Sequence, residues 1–196
     1  MQHLLSFFHT AEKLKMELRH SWLSDGRQES VAEHTWRLTL IAMTLEPYLT
    51  EPINMEKLLK MLVIHDLAEV AIGNIPAFEV SERKANKQSA EATAMKKLCE
   101  QLGEHGEAWY ALWHEGEQKE TYEAKVANAI DKLEAQLQHN EAALNTWLPV
   151  EYEMTFRLQK HTLFDETLEA LRAVIVEEAI EKLQQSNIDI SSWYST

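Results

Sequence analysis

The chain has 196 residues, 45% of them apolar, with 19 basic against 32 acidic side chains and a formal net charge of −13. That length suffices for one domain with a full core, so residues 1–196 are read as a single domain. The charge argues against a broad basic surface for a nucleic acid polymer and leaves room for a local pocket that takes a small anion.

Cys99 is the only cysteine, so no disulfide forms within the chain. Neither a basic-then-apolar leader nor an apolar run of about eighteen residues is present, which predicts a cytoplasmic protein that does not enter a membrane. Five glycines and four prolines, with long stretches of helical spacing and no clear alternation, predict an all-α fold without strands.

The first helix is expected through Leu4, Phe7, Phe8, Ala11, Leu14 and Leu18, breaking at Ser24-Asp25-Gly26. A second runs from about Glu29 to Tyr48 with Val31, Leu38, Ile41, Ala42 and Leu45 on one stripe, and His34 lies on that stripe. Asn54 is a cap for the third, which is apolar almost all the way round and so reads as the central buried helix. It carries His65-Asp66 and Glu69 and ends at Gly73-Asn74-Ile75-Pro76. The stretch from there to about Lys87 reads as loop.

A fourth helix is expected from about Ser89 to Leu102 and a short one from Glu107 to Trp113. The aromatic stripe Trp109, Tyr110 and Trp113 reads as core or subunit contact. The fifth long helix, about Thr121 to Leu144, has Val126, Ile130, Leu133 and Leu137 on its stripe and Asp131 beside it, while Lys132 and Glu134 read as solvated. The last spans about Glu151 to Gln184, and the Ser/Asn-rich end after it is expected to fray.

An imidazole and two carboxylates on one apolar helix are costly unless a cation, a proton or a hydrogen-bond network compensates them. His65 and Glu69 share a face one turn apart, and Asp66 flanks them. His34 is either a hydrogen-bonded core histidine or a ligand, and Asp131 is either an exposed carboxylate or a fourth ligand. A metal ion would account for the whole set.

The order His34, His65-Asp66, Asp131 resembles the HD-domain superfamily of metal-dependent phosphohydrolases, an all-α helical bundle. Linked blocks extend the likeness to its 5'-deoxynucleotidase branch. They are Arg19 with Trp22, the run from Glu29 to Arg37, His65-Asp66-Leu67-Ala68-Glu69, Gly73-Asn74-Ile75-Pro76, Glu91 with Ala94-Met95, and Ala129-Ile130-Asp131-Lys132. The resemblance covers roughly Leu14 to Gln138. It implies hydrolysis of a nucleoside 5'-monophosphate, with a deoxynucleotide as the small-molecule substrate, by a homodimer.

By that resemblance His34, His65, Asp66 and Asp131 hold one divalent cation. The mixed nitrogen and oxygen donors suit Mn²⁺, Co²⁺, Fe²⁺, Zn²⁺ or Ni²⁺, without choosing among them. Glu69 is implied to activate or orient a water, the alternative being a buried carboxylate that only orients a ligand. Arg19 is implied to clamp phosphate through its planar fork, or else to end the first helix in solvent. Trp22 walls a nucleoside pocket or is core, and Lys87 brings charge near the phosphate or is solvated.

His105 and His114 are not assigned as ligands. Asn74 departs from the pattern, since the branch usually carries Asp there. The amide keeps hydrogen bonding and loses a group able to pass a proton, which is expected to alter sugar selection or lower turnover. Two alternatives stay open: an HD hydrolase of another small phosphate ester or nucleotide, and a catalytically weak nucleotide-binding protein.

Overall fold

The chain opens with α1 (Gln2–Ala11), which buries Phe7, and a 3₁₀ turn that buries Leu14. Helical pattern ends there. In the computed structural model, which describes residues 1–193, the next segment pairs instead with the one after the break. β1 (Leu18–Trp22) and β2 (Gln28–Ser30) form an antiparallel ribbon with Leu18 opposite Ser30 and Trp22 opposite Gln28. The expectation of no strands is therefore corrected. Ser24-Asp25-Gly26 acts as a hairpin turn, with Gly26 at φ 90° and Leu23 N–H bonded to the Arg27 carbonyl at 2.8 Å.

Ser30 then starts α2 (Val31–Leu45) through a reciprocal cap. Its hydroxyl accepts from Glu33 N–H at 3.3 Å, and the Glu33 carboxylate accepts from Ser30 N–H at 2.9 Å. Asn54 caps α3 (Met55–Ile64) as expected, accepting from Lys57 N–H at 3.1 Å.

The third helix is not continuous. It stops at Ile64, and after four residues of turn α4 (Glu69–Ile72) resumes. Bonds from Leu67 N–H to Ile64 O, Glu69 N–H to Asp66 O and Ala71 N–H to Ala68 O, at 3.1, 3.0 and 3.0 Å, wind this stretch more tightly than an α-helix. His65 and Asp66 sit in that break, not on a regular helix. Gly73, at φ 75°, turns the chain away.

Within the expected loop lies α5 (Glu82–Ala85), followed by α6 (Lys87–Glu100) and α7 (Gly106–Gln118). The fifth long segment is α8 (Tyr122–Glu141), which packs against α2, α3 and α7. The final segment is corrected from one helix to two: α9 (Pro149–Thr155) and α10 (Glu166–Gln185), the latter also packed on α8. Asp165 separates them, because its carboxylate caps α10 by accepting from Thr167 and Leu168 N–H at 2.9 and 3.0 Å.

Two apolar cores result among the described residues. One joins α2, α3, α8 and α10 through Leu38, Leu58, Leu62, Ile130, Leu133 and Leu168. The other joins α1, α3, α6 and α7 through Phe7, Ile64, Met95, Leu98 and Trp113. In the stretch after α10 Ile190 is buried while most of its neighbours are exposed; residues 194–196 lie outside the described residues. Among the described residues no helix is long and apolar enough to cross a membrane.

Candidate functional site

The break after α3 turns His65 and Asp66 toward α2 and α8. The His65 Nδ1 donates to the Leu62 carbonyl at 2.7 Å, which leaves Nε2 free to face the opposite way. That Nε2 is buried and 3.0 Å from Asp66 Oδ2. His34 comes in from α2 with its ring centroid 5.6 Å from that of His65 and its Nε2 3.2 Å from Asp131 Oδ1 on α8. Donor atoms of His34, His65 and Asp66 lie within 4.8 Å of one another. Asp131 closes the group through His34.

Each ligand candidate is held in the protonation state its neighbours demand. Burial opposes a proton on His65, but Asp66 and Asp131 outweigh it and hold the imidazole up at about 9. Burial and Arg19 oppose one on His34, and there Glu134 and Asp131 prevail. Burial likewise opposes the Asp66 and Asp131 charges. His65 keeps Asp66 well below the carboxylate range, and Lys132 with His34 does the same for Asp131.

Behind this group lies an acidic layer that sequence reasoning missed. Glu134, expected to be solvated, is fully buried and accepts a hydrogen bond from His34 Nδ1. Glu29, in the middle of the ribbon's second strand, is buried beside it, and burial together with Glu134 pushes its carboxyl up to about 7 against the pull of Arg19. The signal for Glu134 was present, because Ile130, Glu134 and Gln138 follow at four-residue spacing and all three are buried. A three-residue strand gave no such signal for Glu29. Lys132, the other residue read as solvated, is 39% exposed at its side chain and bonds Asp131 at 2.7 Å.

Arg19 is neither solvated nor at a helix end. It stands on β1 with its side chain 12% exposed, Nε 3.1 Å from Glu29 and Nη1 3.6 Å from Asp66. Glu69 opens α4 and is 2% exposed. Burial and Asp66 push its carboxyl up to about 8, opposed by the Asn74 amide, which bonds both its oxygens, and by Lys87 at 4.0 Å. The Asn74 main-chain N–H is itself fixed by Glu17 at 2.8 Å.

These groups line the head of a cleft of about 230 Å³: Arg19, Asp66, Glu69, Asn74, Lys87 and Asp131. Its far end is made by His20, Phe78, His139 and Glu151. Asp131, Ala135 and His139 run along one wall at four-residue spacing, so α8 spans about 12 Å of cleft. Trp22 is not among the lining residues. It is half-buried, its carbonyl accepts from Gln138 at 2.8 Å, and its indole N–H is buried without a hydrogen-bond partner. His105 is exposed, and His114 stacks on Tyr110 with its ring centroid 6.3 Å away.

The donor set fits a divalent cation. A buried imidazole nitrogen, a second imidazole and the Asp66 carboxylate converge, with the Asp131 carboxylate against His34. Two imidazoles and two carboxylates make the mixed nitrogen and oxygen set that a first-row divalent ion takes.

Comparison with known proteins gives three kinds of likeness. The HD domain family model matches residues 11–172. The 5'-deoxynucleotidase HDDC2 of Danio rerio is 33% identical over 145 residues, 72% of this chain and 70% of that protein. The 5'-deoxynucleotidase HDDC2 of Dictyostelium discoideum is 31% identical over 175 residues, 85% and 89% of the two chains. Among solved structures, a protein described as a predicted metal-dependent phosphohydrolase from Magnetospirillum magnetotacticum MS-1 superposes with a TM-score of 0.76 at 27% identity, over 92% of this chain and 93% of that one.

Proposed function

The chain belongs to the HD-domain family, in its 5'-deoxynucleotidase branch, and from that premise we propose that it hydrolyses deoxynucleoside 5'-monophosphates to nucleoside and phosphate. It is a metal-dependent phosphohydrolase. The observation that carries the residue assignment is the meeting of His34, His65 and Asp66, with Asp131 against His34, beside a cleft that Asp66, Asp131, Arg19 and Glu69 line. In this reading those four residues hold one divalent ion, which when bound polarises the phosphoryl group and makes water a better nucleophile near neutral pH.

The chain's own residues do the rest. Arg19, held from behind by Glu29, presents the remainder of its fork to the phosphoryl oxygens and stabilises the charge that develops there. Lys87 adds a second positive charge beside Glu69. Glu69 takes the proton of the attacking water, and its raised pKa matches a base working near neutral pH. Asn74 holds both carboxylate oxygens in place for that transfer.

The nucleoside then lies along α8. Ala135, with its small side chain, leaves space for the sugar, and the base reaches the end formed by His20, Phe78 and His139. Homodimer formation and a cytoplasmic location belong to the same reading. An exposed apolar groove with Val63 and Trp109 on its rim supports the first, and sedimentation velocity tests it.

The test is phosphate release from a panel of deoxy- and ribonucleoside monophosphates, nucleoside triphosphates, cyclic nucleotides and unrelated phosphomonoesters at saturating Mn²⁺ or Co²⁺. Preferential release from deoxynucleoside monophosphates is expected. Release mainly from another class would move the assignment to that ester, and tight nucleotide binding without release would make the protein a nucleotide binder.

A further inference from the structure

The residues that touch the metal do not fix the direction in which His34 faces it. We propose that Glu134 is a positioning residue that sets the His34 tautomer for metal binding; this rests on the reading of His34 as a ligand. A neutral imidazole binds a cation through one nitrogen only when its proton sits on the other, so the partner of Nδ1 decides whether Nε2 is available. For His65 that partner is a main-chain carbonyl, Leu62 O. For His34 it is the Glu134 carboxylate, contacted directly at Nδ1 while Nε2 turns to Asp131.

Three features make the arrangement specific. His34 and Glu134 are both fully buried, so no water competes for Nδ1. Glu134 and Asp131 stand three residues apart on α8, so one helix supplies both the carboxylate in front of the imidazole and the one behind it. A charged acceptor also strengthens the imidazole as a donor to a cation, which a carbonyl does less.

Glu29, His34 and Glu134 also have donor atoms within 4.8 Å of one another, which raises a rival use of the layer as a cation site of its own. The direct contact between His34 Nδ1 and Glu134 leaves no space for an ion between them, and the Glu29 charge already faces Arg19. Glu134 therefore acts through His34.

Two measurements test this. In ¹⁵N NMR of the metal-free wild type, His34 is expected as the Nδ1-protonated tautomer or the imidazolium; an Nε2-protonated neutral ring overturns the proposal without any variant. In Co²⁺ titrations followed by calorimetry and the visible spectrum, Glu134→Gln is expected to bind about 10-fold and Glu134→Ala about 100-fold more weakly than wild type. The amide oxygen still accepts from Nδ1–H, so the glutamine variant recovers part of the loss. Asp66→Ala is the control. If it binds Co²⁺ like wild type, the metal-centre reading itself fails; if it loses the ion while both Glu134 variants keep wild-type affinity, the metal centre stands and the role of Glu134 is refuted. Should Glu134→Ala not fold, the glutamine variant and the wild-type spectrum decide.

Discussion

The Asn74 side-chain amide donates to both oxygens of the Glu69 carboxylate, at 3.1 and 3.0 Å. The pair joins the end of α4 to its first residue across the turn at Gly73. It also means that the departure of this chain from the Asp usual in its branch falls directly on the proposed base.

Asn74→Asp replaces a donor with an acid beside a carboxyl that burial and Asp66 already push up to about 8. Two adjacent acids then share a proton, and Glu69 ionises at higher pH than before. Activity that requires Glu69 as a base rises with pH through its pKa. The rising limb of kcat/KM against pH is therefore expected to move upward in the variant, with a change in the ratio of deoxy- to ribonucleotide turnover. Superimposable profiles and ratios would contradict this account of Asn74.

Glu69→Gln keeps the shape and one of the two hydrogen bonds from Asn74 and removes the base. A fall in kcat of about 10²–10⁴-fold is expected, with metal content per chain unchanged by elemental analysis. Unchanged turnover would reduce Glu69 to a group that orients its neighbours.

Asp165 carries the junction between α9 and α10. Its buried carboxylate accepts from Thr167 and Leu168 N–H, and from Thr50 N–H, Thr50 Oγ1 and the Tyr122 hydroxyl at 2.9, 2.6 and 2.6 Å. Asp165→Ala strips a helix cap and strands donors from two other elements. A loss of about 2–4 kcal/mol in urea unfolding is expected, with Tyr122→Phe costing about 1 kcal/mol. Equal effects of the two substitutions would show that Asp165 is not the hub.

His161, which does not itself line the cleft, supplies a second pH dependence. Burial, with Lys132, Lys160 and Lys119 around it, pushes its imidazole down to about 4. An unfolded histidine takes up its proton near pH 6.5. Between those values the unfolded chain binds more protons than the folded one, so this residue makes stability fall as pH drops through the window and level off below it. In His161→Gln, Tm is expected to decline less steeply from pH 6.5 to 4 than in wild type; parallel slopes would refute the shift.

Most helices were legible because each has an apolar stripe long enough to declare its period, and Asn54 showed as a cap. Arg19 was harder. Its residue type pointed to phosphate, but its place depended on a hairpin whose strands are five and three residues long, too short to show alternation over the helical spacing that precedes them. The break at His65-Asp66 was hidden for a different reason: the residues on either side of the pair are apolar almost without interruption, so nothing in their pattern separates a tight turn from a helix. Glu134 was misread because a glutamate on an amphipathic helix is usually solvated, and only its spacing from Ile130 argued otherwise. The function came through because the residues that meet are those whose burial needs compensation.

The central claim is that His34, His65, Asp66 and Asp131 share one ion. Anomalous diffraction from crystals of the Co²⁺-loaded protein tests it most directly. The account predicts a single strong peak per chain bounded by those four side chains, at the end of the cleft where Arg19 and Glu69 stand. A peak placed between Glu29 and Glu134, or no peak among the four, would contradict it.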